Sequence, residues 1–385
     1  MATATSLSLA PATAPLRAQT DVRVPGGENA ASDPSFFLSE TWLDACLLTW
    51  PGHAAFERVE LSSADGTSGH VLLGRGTSIR QRFMRVPYLA INQSADPFLD
   101  EATIELNGIF GCPPDAFDRT FRLLLARLDA DASWREVRFF GLARERADRV
   151  ERLASEQGLR CRLFSMRPTY WVDLDSIRSE HGSDYLASRS ANTRAQLRRS
   201  LRRAERELGP VRLLRAESVH EALAWLDAWA QLHLARWPSG AQPVGFDNPL
   251  FVEFHRNLIA SGFGRGTLDL LRLDAGDASL AYLYNFRLAG HSYFYLAGID
   301  YDRAEAYRPG MIAHWFAIER SLRNGDRIYD FLAGEHVYKR RLASDSDVQH
   351  DCVLWRPTVA LRLEDMLRSL RRRWRERARR SRTGD

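Results

Sequence analysis

The sequence predicts an α/β protein with a mixed sheet, built from two halves of similar size. Its 385 residues exceed one ordinary core. Its 45% hydrophobic and 26% charged residues are typical of a globular protein. Helical and strand-like patterns alternate through both halves in a similar order, which suggests a duplicated domain without a residue-level repeat. We expect a leader over 1–34, domains over 35–174 and 175–360, and a helical tail over 361–385.

The leader is rich in Ala, Thr, Ser and Pro, and we expect it to be disordered. It has no basic segment ahead of a sustained apolar stretch, so a secretory signal is not expected. No apolar run in the chain reaches the length of a membrane-spanning helix. The four cysteines form no CxxC pair, which argues against a zinc site and fits a reducing cytoplasm; they are Cys46, Cys112, Cys161 and Cys352.

The first half is predicted to contain three helices and four strands. A Ser or Thr cap opens the helix of "SETWLDACLLTW", and apolar residues at helical spacing predict a second helix around Phe117–Leu128. A third helix ends at Gly158. The strands are predicted in "HVLLGRG", "MRVPYLAIN", "REVRFFGLA" and "CRLFSMRPTYWVDL". This half contains no cluster of chemically reactive residues.

The second half repeats that pattern. Capping boxes, Thr193 with Gln196 and Ser218 with Glu221, predict the starts of two long helices. A third helix, "NPLFVEFHRNLIASGFG", precedes three strand-like runs joined by glycine turns. A loop then leads into another helix, and two further strands, "DRIYDFLAG" and "DCVLWRPTVALRL", precede the tail.

The segment "AYRPGMIAHW" is typical of a helix start that binds an anion, although a Pro-Gly before a helix also occurs as a simple turn. Proline suits the first helical position, and glycine lets a ligand approach the backbone. Free N–H groups and the helix dipole would favour a phosphate there. The expected cofactor-binding residues are Arg308, Gly310, Met311, Ile312 and Ala313.

The next strand, in "RIYDFLAGEHVYK", contains Asp330 within a run that is predicted to be buried on both faces. An unpaired buried carboxylate is costly, so Asp330 needs a donor or cation. Lys339, Arg340 and Arg341 are the candidates in the sequence that follows.

Four reactive side chains follow the carboxyl end of this strand: Glu335, His336, Tyr338 and Lys339. Ligand sites in open α/β sheets collect at such ends. Glu335 or His336 is the natural base near neutral pH. An ion pair between Glu335 and Lys339 that holds the turn is the structural alternative. Lys339 is the only lysine in the chain, and an ammonium is not interchangeable with a guanidinium.

Two other features are candidates for binding. His233 lies on the apolar stripe of its helix, where it is either a core histidine or part of a substrate-binding group with Arg236 and Trp237. The basic tail "LRSLRRRWRERARRSR" holds much of the positive charge of a chain whose net charge is +4. It suggests an anionic membrane surface or protein partner, or a solvated helix end.

Residues 295–343 resemble the GNAT-type acetyltransferases associated with bacterial cellulose and exopolysaccharide biosynthesis. The family pattern "gfD…ysPG" followed by "fDFlrGdEpYKrrw" matches "YLAGIDYDRAEAYRPG" and "YDFLAGEHVYKRRLA". "NTRAQLRRSLRRAER" and "LHLARW" are also similar to the family's "kntRynlrRslrrl" and "lH..RW". The resemblance is good over 185–345 and faint over 35–175. The usual Q/R-x-x-G-x-G/A loop is absent from the sequence.

The resemblance implies two tandem GNAT-like halves, akin to FemAB-type peptidyltransferases. It implies acetyl-CoA or another acyl-CoA as co-substrate, no metal, and a small-molecule amine or amino-sugar acceptor. The CoA pyrophosphate would lie on Arg308–Ala313, and Tyr338 takes the place of a tyrosine that protonates the departing thiolate. Asp330, Glu335 and Lys339 match the family motif.

The expected function is therefore an N-acyltransferase of polysaccharide or cell-envelope metabolism, located in the cytoplasm or peripherally at the inner membrane face. Two alternatives remain: a FemAB-like transferase that uses aminoacyl-tRNA, and a non-catalytic partner in a polysaccharide-synthesis assembly. No basic-aromatic module of a nucleic-acid-binding protein is present, so nucleic acid is not an expected partner.

Overall fold

A computed structural model describes residues 35–62, 66, 68–236 and 245–380. Its centre is an eleven-stranded mixed sheet in the order β1-β2-β3-β4-β11-β5-β10-β9-β8-β7-β6. The predicted mixed α/β fold is confirmed. The predicted leader, 1–34, lies outside the described residues.

The strands are β1 (Phe56–Ser62), β2 (Ser68–Arg80), β3 (Met84–Ile91), β4 (Glu136–Ala143), β5 (Arg160–Asp173), β6 (Val211–Arg215), β7 (Leu268–Ala275), β8 (Ala278–Leu288), β9 (His291–Ile299), β10 (Ile328–Ala333) and β11 (Asp345–Trp355). The helices are α1 (Glu40–Thr49), α2 (Phe117–Asp129), α3 (Arg144–Glu156), α4 (Leu174–His181), α5 (Ala191–Leu208), α6 (Val219–Arg236), α7 (Pro249–Gly262), α8 (Tyr301–Tyr307), α9 (Pro309–Arg323), α10 (Val337–Leu342) and α11 (Val359–Arg380).

Two short parallel pairings interrupt an otherwise antiparallel sheet. β3 pairs with β4 in the first half, and β9 pairs with β10 in the second. β11, near the end of the chain, lies between β4 and β5 and pairs with both. β5 in turn pairs with β10, so a single sheet runs through both halves.

Helices cover both faces of the second half of the sheet. α1, α6 and α7 pack on one face around a core that includes Tyr284 and Leu332. α5 and α9 pack on the other face around a core that includes Tyr329 and Phe331. Because side chains alternate along a strand, consecutive residues of β10 pack against the helices on opposite faces of the sheet. Its burial confirms the prediction of a strand buried on both faces.

Several local predictions differ from the structure. The N-cap of α5 is Ser190, whose hydroxyl accepts the Thr193 N–H at 3.2 Å, so the predicted Thr193 capping box is wrong. α4, α8 and α10 are helices of six to eight residues that the sequence patterns did not predict. Such short helices bury too few residues to produce a clear 3.6-residue periodicity.

The predicted helical tail corresponds to α11. Leu361 and Glu364 face the body of the protein, where Arg80 donates to Glu364 at 2.9 Å. A search of the described helices finds none with the length and apolar character needed to cross a bilayer.

Candidate active site

The site begins where two parallel strands separate. β9 and β10 pair only over His291–Tyr293 and Ile328–Asp330. Beyond Asp330, β10 continues against β5 through a bulge that ends at Ala333. The edge of β9 beyond Tyr293 therefore leaves the parallel ladder. α8 and α9 follow β9, so the start of α9 lies at the carboxyl side of this opening.

The start of α9 has the proline and glycine predicted for an anion site, but fewer free N–H groups than the sequence suggested. Arg308 has φ 51° and ψ 52°, and its carbonyl accepts from Met311 at 3.0 Å and Ile312 at 3.3 Å. The expectation that both of these N–H groups point out of the helix is therefore wrong, because the first turn already closes on Arg308. Since Pro309 has no N–H, Gly310 carries the first N–H that the helix end presents.

Positive charge gathers beside this helix start. The guanidinium groups of Arg308 and Arg341 both lie next to the side-chain amide of Gln196 on α5. No acidic residue occurs in the first turn of α9. Ile312 and Ala313 are fully buried in the core under the helix, so their side chains anchor the turn.

Tyr338 lies one turn of α9 away from Gly310. Its ring stacks on His314 with centroids 5.4 Å apart, and His314 Nδ1 lies 3.0 Å from the Tyr329 hydroxyl. Burial lowers the pKa of His314 to about 3, so this ring is neutral near pH 7. Burial also raises the pKa of Tyr338, so the phenol keeps its proton. The arrangement places a neutral proton donor against α9, with its ring 6.3 Å from that of Phe331 on β10.

Asp330 lies on the opposite face of β10. Its carboxylate accepts the Leu332 N–H at 2.6 Å and contacts His291 Nε2 at 3.3 Å. Leu332 has a φ of 57°, and the Asp330 bond supports this left-handed turn within the bulge. The expected bonding partners Arg340 and Arg341 are wrong, because both lie on α10 with exposed side chains.

Lys339 closes the bulge from α10. Its ammonium donates to the carbonyls of Ala333 at 2.7 Å and Leu332 at 3.4 Å, and the residue is only 5% exposed. Burial lowers the pKa of Lys339 to about 8, against the opposing effect of the Glu105 and Asp330 carboxylates. A single compact ammonium reaches both carbonyls, which a planar guanidinium would have to approach in a different geometry. Lys339 is thus positioned to hold the strand end.

Glu335 and His336 lie at the exposed rim. Glu335 accepts from the Tyr170 hydroxyl at 2.9 Å and pairs with Arg340 at 3.0 Å, so the alternative of a Glu335–Lys339 pair is wrong. The His336 ring lies 5.6 Å from the Tyr338 ring. The five predicted catalytic residues therefore occupy three places. Tyr338 lies on the α9 face, and Asp330 and Lys339 lie at the bulge. Glu335 and His336 lie at the rim.

Glu105 is a site residue that the sequence did not reveal. It belongs to the loop between β3 and α2, and its carboxylate faces the Ala333 N–H at the end of β10. Burial raises the pKa of Glu105, and its Oε2 atom has no hydrogen-bond partner among the described residues. No local pattern marks this loop, and more than two hundred residues separate it from β10.

The predicted substrate-binding group lies over the end of β9. Gly298 admits α6 closely, because a Cβ there would lie 1.9 Å from Trp229 Cδ1. One turn further along, the ring of His233 packs on Phe246 at 5.4 Å, and burial lowers its pKa. α6 ends at Arg236, and Trp237 lies outside the described residues.

The fold, with its opening between β9 and β10, is GNAT-like. Residues 191–340 match the sequence model of a family described as "Acetyltransferase (GNAT) domain". The match spans α5 to α10 and includes every predicted site residue. No curated protein matches the chain.

Solved structures extend the similarity to both halves. The crystal structure of FemX covers 83% of this chain and 92% of its own, at 9% identity and a TM-score of 0.53. The C-terminal domain of a putative lysylphosphatidylglycerol synthetase from Agrobacterium fabrum covers 80% and 86%, at 13% identity and a TM-score of 0.48. A tandem GNAT protein from the clavulanic acid biosynthesis pathway covers 83% and 88%, at 12% identity and a TM-score of 0.43. The predicted GNAT-like fold is confirmed.

Proposed function

We propose that the protein is an N-acyltransferase that moves an acetyl or other acyl group from acyl-CoA to an amine. The observation that supports this most strongly is the position of Tyr338. This half-buried, protonated phenol stacks on His314 of α9, one turn from the helix start. Its ring lies 6.3 Å from that of Phe331, the first residue of β10 beyond its pairing with β9. A thioester donor needs this combination of an anion site, a slot between strands and a proton donor for the departing sulfur.

The donor would bind with its pyrophosphate at the start of α9. The Gly310 N–H and the positive end of the helix dipole favour an anion, and Arg308 and Arg341 add charge. Met311, Ile312 and Ala313 complete the first turn and fix its direction. The rest of the donor would follow the gap, and the N–H groups of β9 beyond Tyr293 would receive the thioester carbonyl.

In the reaction, the amine nitrogen attacks the thioester carbonyl carbon, a C–N bond forms and the C–S bond breaks. Tyr338 gives its proton to the thiolate, and a carboxylate takes the proton that the nitrogen loses. We assign this base role to Glu105, because its carboxylate lies against the Ala333 N–H at the end of β10 and its Oε2 atom has no hydrogen-bond partner among the described residues. Glu335 and His336 are the competing candidates at the rim. Solvent then restores both groups.

Calorimetric titration of acetyl-CoA into the full chain tests the proposal. We expect one molecule to bind, and we expect an amine acceptor to yield an N-acetyl product by mass spectrometry. Binding of aminoacyl-tRNA without binding of acetyl-CoA would instead support the tRNA-dependent alternative. Binding of neither ligand would support the non-catalytic role in polysaccharide synthesis.

The cellular setting is also part of the proposal. We place the activity in cytoplasmic polysaccharide or cell-envelope metabolism, on the resemblance of the PG loop and the YK motif to the exopolysaccharide-associated family. α11 supports a peripheral position at an anionic membrane surface. Its apolar residues Leu363, Met366, Leu367 and Leu370 are each about half exposed, between arginines. Such a face suits insertion between acidic headgroups.

Co-sedimentation with vesicles tests this position. We expect binding to vesicles containing phosphatidylglycerol, weaker binding to pure phosphatidylcholine, and loss of binding in a Leu363→Ser, Leu367→Ser double variant. Phe83→Ser removes an apolar side chain that is 82% exposed elsewhere on the protein, and it serves as the control. Equal binding of the double variant and the control would overturn the membrane assignment.

A further inference from the structure

A cavity of about 300 Å³ lies where the two halves meet. Its walls include Asp330 and Leu332 of β10, Trp171 of β5 and Gln349 of β11. The ends of these strands align in one region of the sheet, because Asp330 is paired with Trp171 and Ala333 with Thr169. The cavity therefore adjoins the bulge that Lys339 and Glu105 hold. Its volume is at the lower end of the range for small-molecule sites, which suits one sugar ring.

Gln349 is the feature of this cavity that points to a ligand. The residue is 1% exposed, yet neither its Nε2 nor its Oε1 atom has a hydrogen-bond partner among the described residues. Buried amides without partners are rare because they lose their bonds to water. A ligand that satisfies Gln349 must accept from the amide nitrogen and donate to the amide oxygen. Hydroxyl groups do both.

The charge of the cavity supplies a second, independent constraint. Four carboxylates line it, from Glu145, Asp148, Asp330 and Asp347, together with the single guanidinium of Arg144. Asp347 already accepts from Arg144 at 2.7 Å. Glu145 lies 3.7 Å from Arg149, and Asp330 accepts the Leu332 N–H, so Asp148 is the lining carboxylate for which a cationic ligand is the natural partner. The Trp171 ring adds an aromatic surface for a cation or an apolar ring face.

We propose that this inter-half cavity binds the acceptor of the transfer, and that the acceptor is an amino sugar. The inference rests on the proposed acyltransferase function and adds the substrate class. The ring hydroxyls bond both atoms of the Gln349 amide, and the carboxylates attract the amine in its protonated form before it is deprotonated for attack. A polyamine offers only donors in its charged form, which leaves the Gln349 NH₂ unsatisfied. A neutral sugar gains nothing from the carboxylates.

Ligand-observed NMR, which measures the binding of glucosamine to the full chain, tests the inference. Glucose lacks the amine and tests the charge requirement, whereas putrescine lacks hydroxyl groups and tests the requirement for them. We expect glucosamine to bind at least about tenfold more tightly than either, since each lacks one set of contacts. Equal or tighter binding of putrescine or glucose would overturn the assignment.

Two variants locate the binding. Gln349→Met keeps the length of the side chain and removes both polar atoms, and it should weaken glucosamine binding about tenfold. Asp148→Asn should weaken glucosamine binding and leave that of glucose unchanged. Gln93→Met replaces another buried glutamine outside the cavity and is the matched control. Unchanged glucosamine binding by Gln349→Met would show that the cavity is not the acceptor site.

A parallel titration of acetyl-CoA separates this inference from the proposed function. Binding of acetyl-CoA without binding of glucosamine overturns the amino-sugar assignment and leaves the acyltransferase intact. Binding of glucosamine without acetyl-CoA supports the cavity as a sugar site and overturns the acyltransferase. Formation of N-acetylglucosamine, lost in Gln349→Met and retained in Gln93→Met, supports both.

Discussion

The two halves of the sheet contain the same local arrangement and use it differently. In each, two parallel strands pair over three residues: Tyr88–Ala90 with Glu136–Arg138 in the first half, and His291–Tyr293 with Ile328–Asp330 in the second. The strands of each pair are connected through helices, α2 in the first half and α8 followed by α9 in the second. The strand after these helices is bulged near its end in both halves.

The helix starts differ in charge. The first turn of α2 contains its own carboxylate, Asp118, which accepts from Arg149 at 2.6 Å and also from Arg152. The first turn of α9 contains no acid and lies beside arginines. The first half thus has an anion of its own near its helix start, paired with arginines, whereas the first turn of α9 has none.

The bulges differ in the same sense. In β4, Gly141 takes a φ of 72° without strain, and its N–H bonds Asp351 at 2.9 Å. In β10, the non-glycine Leu332 takes the left-handed turn and depends on Asp330 and Lys339 for support. The first half also supplies the Glu105 carboxylate, which faces the Ala333 N–H at the end of β10. In the proposed function, the second half therefore carries the donor site and the first half contributes to the acceptor side.

The largest expected effect is a loss of kcat caused by a substitution in the second half alone. Tyr338→Phe should lower kcat by about 10²- to 10⁴-fold, because it removes the proton donor to sulfur. Acetyl-CoA affinity should stay unchanged in calorimetry. Tyr88→Phe, on β3 of the first half, should turn over at the wild-type rate. A fully active Tyr338→Phe enzyme would contradict the assignment.

Glu105→Gln tests whether the first half contributes the base. We expect kcat to fall by about 10²-fold or more with little change in acetyl-CoA affinity, because the amide cannot take the proton. Glu335→Gln should have a much smaller effect. The reverse ranking in steady-state kinetics would return the base role to the rim.

Lys339 makes the stability of the second half depend on pH. Its pKa is about 8 in the folded protein, against 10.5 for an ordinary lysine, so between these values the unfolded chain binds more protons. The cost of burying the charge is fully present below pH 8 and is relieved as pH rises. The free energy of unfolding should therefore increase relative to Lys339→Met, by on the order of 3 kcal/mol between pH 8 and 10.5. Urea denaturation at several pH values measures the difference, and a constant difference would contradict the prediction.

A smaller effect, on acetyl-CoA affinity, is expected when the start of α9 is given a carboxylate like that of α2. Gly310→Asp places a carboxylate at the helix start and should weaken acetyl-CoA binding roughly tenfold. Gly310→Asn has the same shape without the charge and should bind nearly as well as the wild type. A Cβ at this position meets only the flexible end of Ile299, at 3.1 Å. Equal affinities of the two variants would place the pyrophosphate elsewhere.

The smallest effect is expected from the reciprocal change. Asp118→Asn removes the internal anion of α2 and should leave acetyl-CoA affinity and kcat at wild-type values. It should lower stability only slightly, by less than about 1 kcal/mol, because the pairs are partly exposed. A loss of acetyl-CoA binding in this variant would show that the two helix starts are not functionally distinct.

The sequence by itself determined the local elements and one side of the site. Periodicity predicted the buried strand around Asp330, and Pro309 and Gly310 predicted the start of α9. The motif predicted Tyr338 beside them. These features depend on interactions between residues a few positions apart, so a short segment of sequence is enough to predict them. The sequence also misplaced the bonding partners of Asp330, because the nearby arginines were attractive candidates while His291 lies on another strand.

Only the tertiary structure decided which distant residues meet at the end of β10. Glu105 arrives from a loop of the first half, and Gln349 arrives on a strand that inserts between β4 and β5. Neither residue carries a local signal, because register and strand order are set by packing across the whole sheet. The alternation of β10 then assigned Tyr329 and Asp330 to opposite faces, which separates the proposed donor side from the proposed acceptor side.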